Sequence, residues 1–283
     1  MFEDTFSTRN GYIQPPAFGE KGTLNKAART RLWNVFQNDF YEPHRKLHLM
    51  RVPDEANASP GGKFLRSIWT DLWNEPINRC PQFIFLLEQI EKRTVSGEPW
   101  HLLFDIFEEV FKQNSPNNPL LLTPDKTEEN IRRALARENT AYTFVGGRFV
   151  DRMTDSEVQS IEKVLRSPID GIRDHFTTAI GLLSDRENPD CRNSIKESIS
   201  AVEAACKHLT GLQNATLGSA LNELHKRRPL HPDFKDSLQR LYNWTSDSAG
   251  IRHAIKDQST VESSDAQFML VTCSAFVNYL FER

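Results

Sequence analysis

Arg252 and His253 stand side by side in the segment Gly250-Ile-Arg-His-Ala254, and no other pair in the chain is better suited to chemistry by type and spacing. A guanidinium carries a permanent charge and a planar fork that matches phosphate oxygens. An imidazole titrates near neutrality, so it can take a proton from a ribose 2′-hydroxyl or return one to a leaving oxygen. Together they suit cleavage of an RNA phosphodiester. That reaction needs no metal, because the nucleophile belongs to the substrate. Acid–base help of this kind is worth about 10²- to 10⁴-fold in rate. One such pair is thin equipment for an active site; two pairs facing each other across a dimer make a fuller one. Taken as a dipeptide alone, a structural role, as a helix cap or in an ion pair, is the better account.

A second group is Arg192-Asn193 with Lys196 and Glu197. At helical spacing Arg192 and Lys196 share a face one turn apart. Arg192, Asn193 and Lys196 form a candidate RNA-binding surface if that face lines a cleft with Arg252. Read alone, they are a solvated helix start. Lys226-Arg227-Arg228 is the strongest basic run. It can contact nucleic acid, but basic residues at a helix C-terminus more often complement the macrodipole. Glu108-Glu109 and Glu128-Glu129 read as solvated helix faces. Trp69, Trp73 and Trp100 lie among apolar residues and read as core rather than as a base-stacking platform.

The four cysteines, Cys80, Cys191, Cys206 and Cys273, form no Cys-x-x-Cys pair, and no His lies at zinc-finger spacing from two of them. No metal and no other cofactor is expected. The sequence lacks a P-loop, a dinucleotide-binding fingerprint, a zinc-hydrolase His pair, an EF-hand loop and a Gly-x-Ser-x-Gly elbow. Any chemistry must come from scattered side chains.

Those side chains need a scaffold, and the composition supplies one. With 283 residues the chain has room for two ordinary domains. Hydrophobic residues make up 38% and charged residues 26%, which fits a globular chain. A net charge of −3 gives no global basic field, although a local cluster can still bind phosphate. Free cysteines point to a reducing, cytoplasmic setting. Glu3 and Asp4 with no apolar run behind them argue against a signal peptide, and no stretch is apolar for long enough to span a membrane.

The pattern is mainly helical. Met1 to Gly22, with Pro15-Pro16, reads as an extended arm that packs on a later helix. Helical periodicity follows over Thr23 to Phe40, Phe64 to Asn74, Pro81 to Arg93, Pro99 to Gln113 and Thr123 to Asn139. Pro53, Pro60 and Gly61-Gly62 mark a loop between the first two, and Ser115 to Pro124 marks another. Thr123 and Pro124 read as N-cap and first helical residue. Tyr142 to Val145 and Arg148 to Val150 flank Gly146-Gly147 as a tight β-hairpin. Thr154-Asp-Ser-Glu157 is a capping box. Beyond it, Ser167-Pro168 caps a helix running to Ser184, and Asn188-Pro189-Asp190 caps another running to Thr210. On the latter, Ile195, Ile199, Val202, Cys206 and Leu209 form a core stripe. Shorter helices span Thr216 to Lys226 and Pro232 to Trp244, and Thr245 to Gly250 reads as a turn. The last helix, Ser264 to Phe281, is apolar nearly all round. Such a helix is buried in its own domain or covered by a partner subunit, so dimerisation through this half is expected.

Two strings in the second half, Asn188 to Glu203 and Leu241-Tyr-Asn-Trp-Thr, precede Gly250 to Ala254 and the apolar last helix. This half resembles the HEPN domain at the C-terminus of AbiJ-like abortive-infection proteins. In the first half, Arg31-Leu-Trp-Asn34, Leu135 to Val145 and Thr154-Asp-Ser-Glu157 resemble one class of AbiJ N-terminal domain. The resemblance implies an AbiJ-type helical domain over residues 1–166, ending in a connecting helix, and a HEPN helical bundle over residues 167–283. It further implies antiphage defence by a dimeric, metal-independent endoribonuclease, with His253 as the signature histidine and Arg252, or Arg192 from the long helix, in place of the family's arginine. The partners it implies are RNA, a second copy of the chain, and an antitoxin or a phage-derived trigger. The usual HEPN signature separates its Arg from its His by four to six residues. His253 matches by position, but Arg252 is adjacent to it, and Ser246 to Ala249 contain no arginine. That spacing leaves a second reading open: a HEPN module that binds RNA or a protein without cleaving.

Overall fold

A computed structural model describes residues 6–12, 14, 16–46, 59–81, 83–97, 99–114, 122–185, 189–246 and 261–282. It is mainly α, with one short antiparallel hairpin, and divides into two compact units, Met1–Arg152 and Met153–Arg283.

In the first unit, α1 is Phe6–Arg9, α2 Lys26–Phe36, α3 Glu42–Lys46, α4 Pro60–Ser67, α5 Phe83–Glu91, α6 Leu102–Gln113 and α7 Pro124–Arg137. The strands are β1 (Tyr142–Val145) and β2 (Arg148–Asp151). Wider π-type turns carry α2 into α3 through Gln37–Tyr41 and extend α4 and α5 through Ile68–Leu72 and Lys92–Ser96. The core is aromatic. Phe36 stacks on Phe40 at 4.9 Å, Phe40 meets Phe64 edge-on at 5.0 Å, and Phe104 lies parallel to Phe149 at 3.7 Å.

Two local expectations fail here for identifiable reasons. Pro60-Gly61-Gly62 is not loop but the first turn of α4. Ser59 caps it, its hydroxyl accepting the Gly62 N–H at 3.0 Å, and Pro60 sits where a helix needs no N–H. Gly61 is required because a Cβ there would fall 2.5 Å from Cδ2 of His44. The N-terminal arm is also not wholly extended, since Phe6–Arg9 makes a helical turn. Its later part packs on the turn after α7. Gly19 N–H donates to the Asn139 carbonyl at 2.8 Å, and Asn139 Nδ2 donates to the Pro16 carbonyl at 3.2 Å. Thr123 occupies the N-cap of α7 but makes no side-chain capping bond; Pro124 follows it as expected.

The hairpin forms as its sequence demands. Val145 pairs with Arg148, and Gly146 and Gly147 hold φ of 59° and 77°, the left-handed pair that a two-residue turn requires. Phe144 and Phe149 form the next pair, whose N–H and C=O groups point away from the partner strand. Side chains from both flanking helices satisfy them. Glu108 of α6 accepts the Phe149 N–H at 2.9 Å, and Arg132 of α7 donates to the Phe144 carbonyl at 3.3 Å. Glu128 accepts the Gly147 N–H at 3.2 Å. Glu108 and Glu128 are therefore clamps on the hairpin rather than members of a solvated face.

The second unit contains α8 (Asp155–Leu165), α9 (Asp170–Ser184), α10 (Cys191–Thr210), α11 (Leu217–Arg227), α12 (Pro232–Ser246) and α13 (Ser263–Glu282). The capping box at α8 is complete, with Thr154 and Glu157 each bonding the other's backbone N–H. The N-cap of α9 is Ile169 rather than Ser167, whose hydroxyl only accepts the Ile169 N–H at 3.3 Å. Helices α9 and α10 form an antiparallel pair locked by Ser194 Oγ donating to the Ala179 carbonyl at 2.8 Å. Helices α10 and α13 run parallel: Cys191 Sγ lies 3.7 Å from Ser263 Oγ at their starts, and the His208 and Phe281 rings lie 6.2 Å apart near their ends. Ile195, Ile199, Val202 and Cys206 are buried between the helices, as are Met269, Cys273, Phe276 and Leu280. Helix α8 belongs with this bundle. Ser160 Oγ is 3.0 Å from Ser274 Oγ, and Asn278 Nδ2 donates to the Ser160 carbonyl at 2.9 Å.

Candidate functional site

Arg252 and His253 fall within 247–260, outside the described residues. The described elements on either side of them are α12, ending at Ser246, and α13, beginning at Ser263. Helix α12 runs back along α13. Phe234, near its start, meets Phe276 and Tyr279 at 5.9 and 5.6 Å. Further on, Leu238 and Leu241 line a small apolar cavity with Met269 and Cys273. The end of α12 thus approaches the end of the bundle where α10 and α13 begin.

Arg192, Asn193 and Lys196 sit on the first turns of α10, at that same end of the bundle. Their helix starts there because Asp190 caps it, its carboxylate accepting the Asn193 N–H at 3.0 Å. Asn193 and Lys196 are exposed, and Arg192 is half-buried. The Asn193 side-chain amide is committed to the cap, donating to Asp190 Oδ2 at 2.6 Å. Arg192 and Lys196 supply the positive charge of this surface, beside the carboxylates of Asp190 and Glu197.

One residue nearby went unnoticed in the sequence. His175 on α9 is 2.6 Å through Nδ1 from the Glu197 carboxylate, little more than a turn beyond Arg192 on α10. A carboxylate held on Nδ1 fixes the imidazole and leaves Nε2 as its other functional atom. The two are 22 positions apart, and only the α9–α10 pairing joins them.

The other sequence candidates have structural employment. Glu223 binds both Lys226 and Arg227, at 3.5 and 3.0 Å, so the basic run closes α11 and holds the Glu223 carboxyl below its ordinary range, chiefly through the Arg227 hydrogen bond. Arg93 lies over Trp73 and Trp69 at 4.4 and 5.3 Å, occupying the rings a base would stack on. Trp100 donates to the Gly22 carbonyl at 3.0 Å and packs on Phe104 and Tyr142. All four cysteines are free. Burial pushes the Cys206 and Cys273 thiols up to about 12, so neither is a nucleophile. Among the described residues no group of His, Cys, Asp and Glu is placed to hold a metal, and no helix is long and apolar enough to cross a membrane.

These features describe a two-unit helical protein with a clamped hairpin in one unit and a basic helix start in the other. Its sequence matches the family model of the AbiJ N-terminal domain 4 over residues 4–167, and the chain belongs to that family. The AbiJ domain ties the chain to abortive infection, a form of antiviral defence. No curated protein and no solved structure matches the chain.

Proposed function

We propose that this protein is an abortive-infection effector whose second unit is a HEPN-type, metal-independent endoribonuclease, with Arg252 and His253 at a cleft between two copies of the chain. The observation that carries the reading is the parallel pairing of α10 and α13. It sets Arg192 and Lys196 beside the start of the helix that follows Arg252 and His253 in sequence. In this scheme Arg252 holds the scissile phosphate, and His253 moves the proton between the 2′-hydroxyl and the leaving oxygen. Arg192 and Lys196 hold the neighbouring backbone phosphate.

Dimerisation has its own support. Phe268 on α13 is 58% exposed, and Phe234 and Trp244 on α12 are also exposed, which leaves an apolar aromatic surface for a second copy to cover. The first unit is the sensor or restraint on the nuclease, released by an antitoxin's departure or by a phage-derived trigger. A second reading, a HEPN module that binds RNA or a protein without cleaving it, is favoured by the adjacency of Arg252 and His253 in place of the usual four-to-six-residue spacing.

The test is cleavage of total RNA by purified protein in EDTA, with His253→Ala as control and Phe268→Glu as a probe of association. The proposal expects cleavage in EDTA, its loss in His253→Ala, and monomerisation with reduced cleavage in Phe268→Glu. RNA bound but never cut supports the second reading. Cleavage abolished by EDTA defeats the metal-free mechanism.

A further inference from the structure

The first unit holds a polar cleft of about 250 Å³ between α2 and α7. Arg31 and Asn34 line it from α2, Asn38 lines it from the π-type turn that follows, and Asn130, Arg133 and Arg137 line it from α7. Arg31 with Asn34, and Asn130 with Arg133 and Arg137, follow helical spacing, so each set shares one face of its helix. The core faces lie elsewhere: Ala28, Leu32 and Phe36 on α2, and Ile131 and Leu135 on α7, are all buried. The polar residues of the cleft lie outside those core faces, while Val35 and Ala134, which also line it, belong to the packing beneath.

Their composition is costly for the helices themselves. Arg133 and Arg137 are like charges one turn apart, which weakens a helix. Asn34 and Asn38 are poor helix formers at exposed positions, and their side-chain amides have no hydrogen-bond partner among the described residues. Three guanidinium groups and one carboxylate, Asp39, line the cleft, and Asp39 accepts a hydrogen bond from Asn130 at 2.7 Å. Two of these guanidinium groups are already paired. Arg31 pairs with the buried Glu138 at 2.5 Å, and Arg133 pairs with Glu129 at 2.6 Å. The strings Arg31 to Asn34 and Leu135 to Val145 thus meet at this cleft.

Guanidinium forks match phosphate oxygens, and a side-chain amide offers both a donor and an acceptor to a base edge or a ribose. The volume is close to the lower end for small-ligand sites, about 300 Å³. We propose that the α2–α7 cleft binds a nucleotide, with Arg133 and Arg137 on its phosphate and Asn34 and Asn38 on its base or sugar. The site would let the first unit sense a small phosphorylated molecule. It stands whether or not the second unit cleaves RNA.

Isothermal titration of the full chain tests this, using the four ribonucleoside monophosphates, their nucleosides, inorganic phosphate and a short oligoribonucleotide without terminal phosphate. The expected result is saturable binding of at least one monophosphate, competed by phosphate, with its nucleoside weaker by about tenfold or more. Arg133→Gln and the double variant Asn34→Ala/Asn38→Ala should each weaken binding by about fivefold or more while leaving thermal unfolding intact, because all three positions are exposed. The proposal is overturned if no monophosphate binds saturably below about 1 mM, if the nucleosides bind as well, if both variants bind normally, or if the oligoribonucleotide alone binds.

Discussion

Replacing Glu108 should separate the two kinds of bond that hold the hairpin to α6. Its carboxylate accepts the outward Phe149 N–H at 2.9 Å and pairs with Arg148 Nη1 at 2.7 Å. A hydrogen bond to a charged acceptor contributes about 1.5–3 kcal/mol. Glu108 is partly exposed, so the lower end applies, and the exposed Arg148 adds well under about 1 kcal/mol. Glu108→Ala should therefore destabilise the first unit by about 2 kcal/mol. Glu108→Gln keeps an oxygen for the Phe149 N–H and should lose only about half as much. Urea unfolding followed by tryptophan fluorescence suits the measurement, because Trp33, Trp69, Trp73 and Trp100 all lie in that unit and only Trp244 does not. Equal losses in both variants would refute the argument, since the backbone bond would then not be the main term. A loss below about 0.5 kcal/mol in Glu108→Ala would refute it as well.

Three further outcomes follow from the described geometry. Asp190→Ala removes the cap of α10 and should cost about 1 kcal/mol, with Asp190→Asn costing less; thermal unfolding of the second unit measures both. His44 is fully buried, and desolvation lowers its pKa from the ordinary 6.5, opposed by its bond to the Phe40 carbonyl. The unfolded chain therefore binds a proton that the folded one refuses. First-unit stability should fall as pH drops below about 6.5, and His44→Gln should flatten that slope in urea titrations at pH 7 and 5.5. Alkylation of the native protein at pH 8 should spare Cys206 and Cys273, whose thiols burial pushes up to about 12, and label Cys80 first, because it is half-buried although burial raises its thiol too; peptide mass mapping reads the order.

The fold was legible wherever a residue's own spacing decided its structure. The Gly146-Gly147 turn, the Thr154 capping box, the Asp190 cap and the stripe from Ile195 to Cys206 all act within one turn or one strand pair. What escaped the sequence depends on partners far along the chain. Pro60-Gly61-Gly62 reads as a loop by composition, although Ser59 and Pro60 are local helix-start signals, and only the His44 ring explains why position 61 must be Gly. Glu108 and Glu128 look like surface carboxylates until the hairpin's outward N–H groups are placed against them. His175 meets Glu197, and Arg31 meets Glu138, only after the helices have paired. The residues with the plainest chemical promise, Arg252 and His253, rest on type and order along the chain alone and lie outside the described residues.

Helix α8 has a consequence for how such proteins can be assembled from parts. The AbiJ family model extends to residue 167 and so includes α8, yet α8 packs on α13, with Ser160 and Ser274 joined across 114 positions. A cassette exchanged at residue 167 would carry Val158, Ile161 and Val164 away from the helix that covers them and leave a matching hollow behind. An exchange at Arg152, where the chain divides into its two compact units, keeps α8 with α13, whereas one at the family's own edge separates them. A new front half must either bring a helix that fits α13 or leave the old one in place.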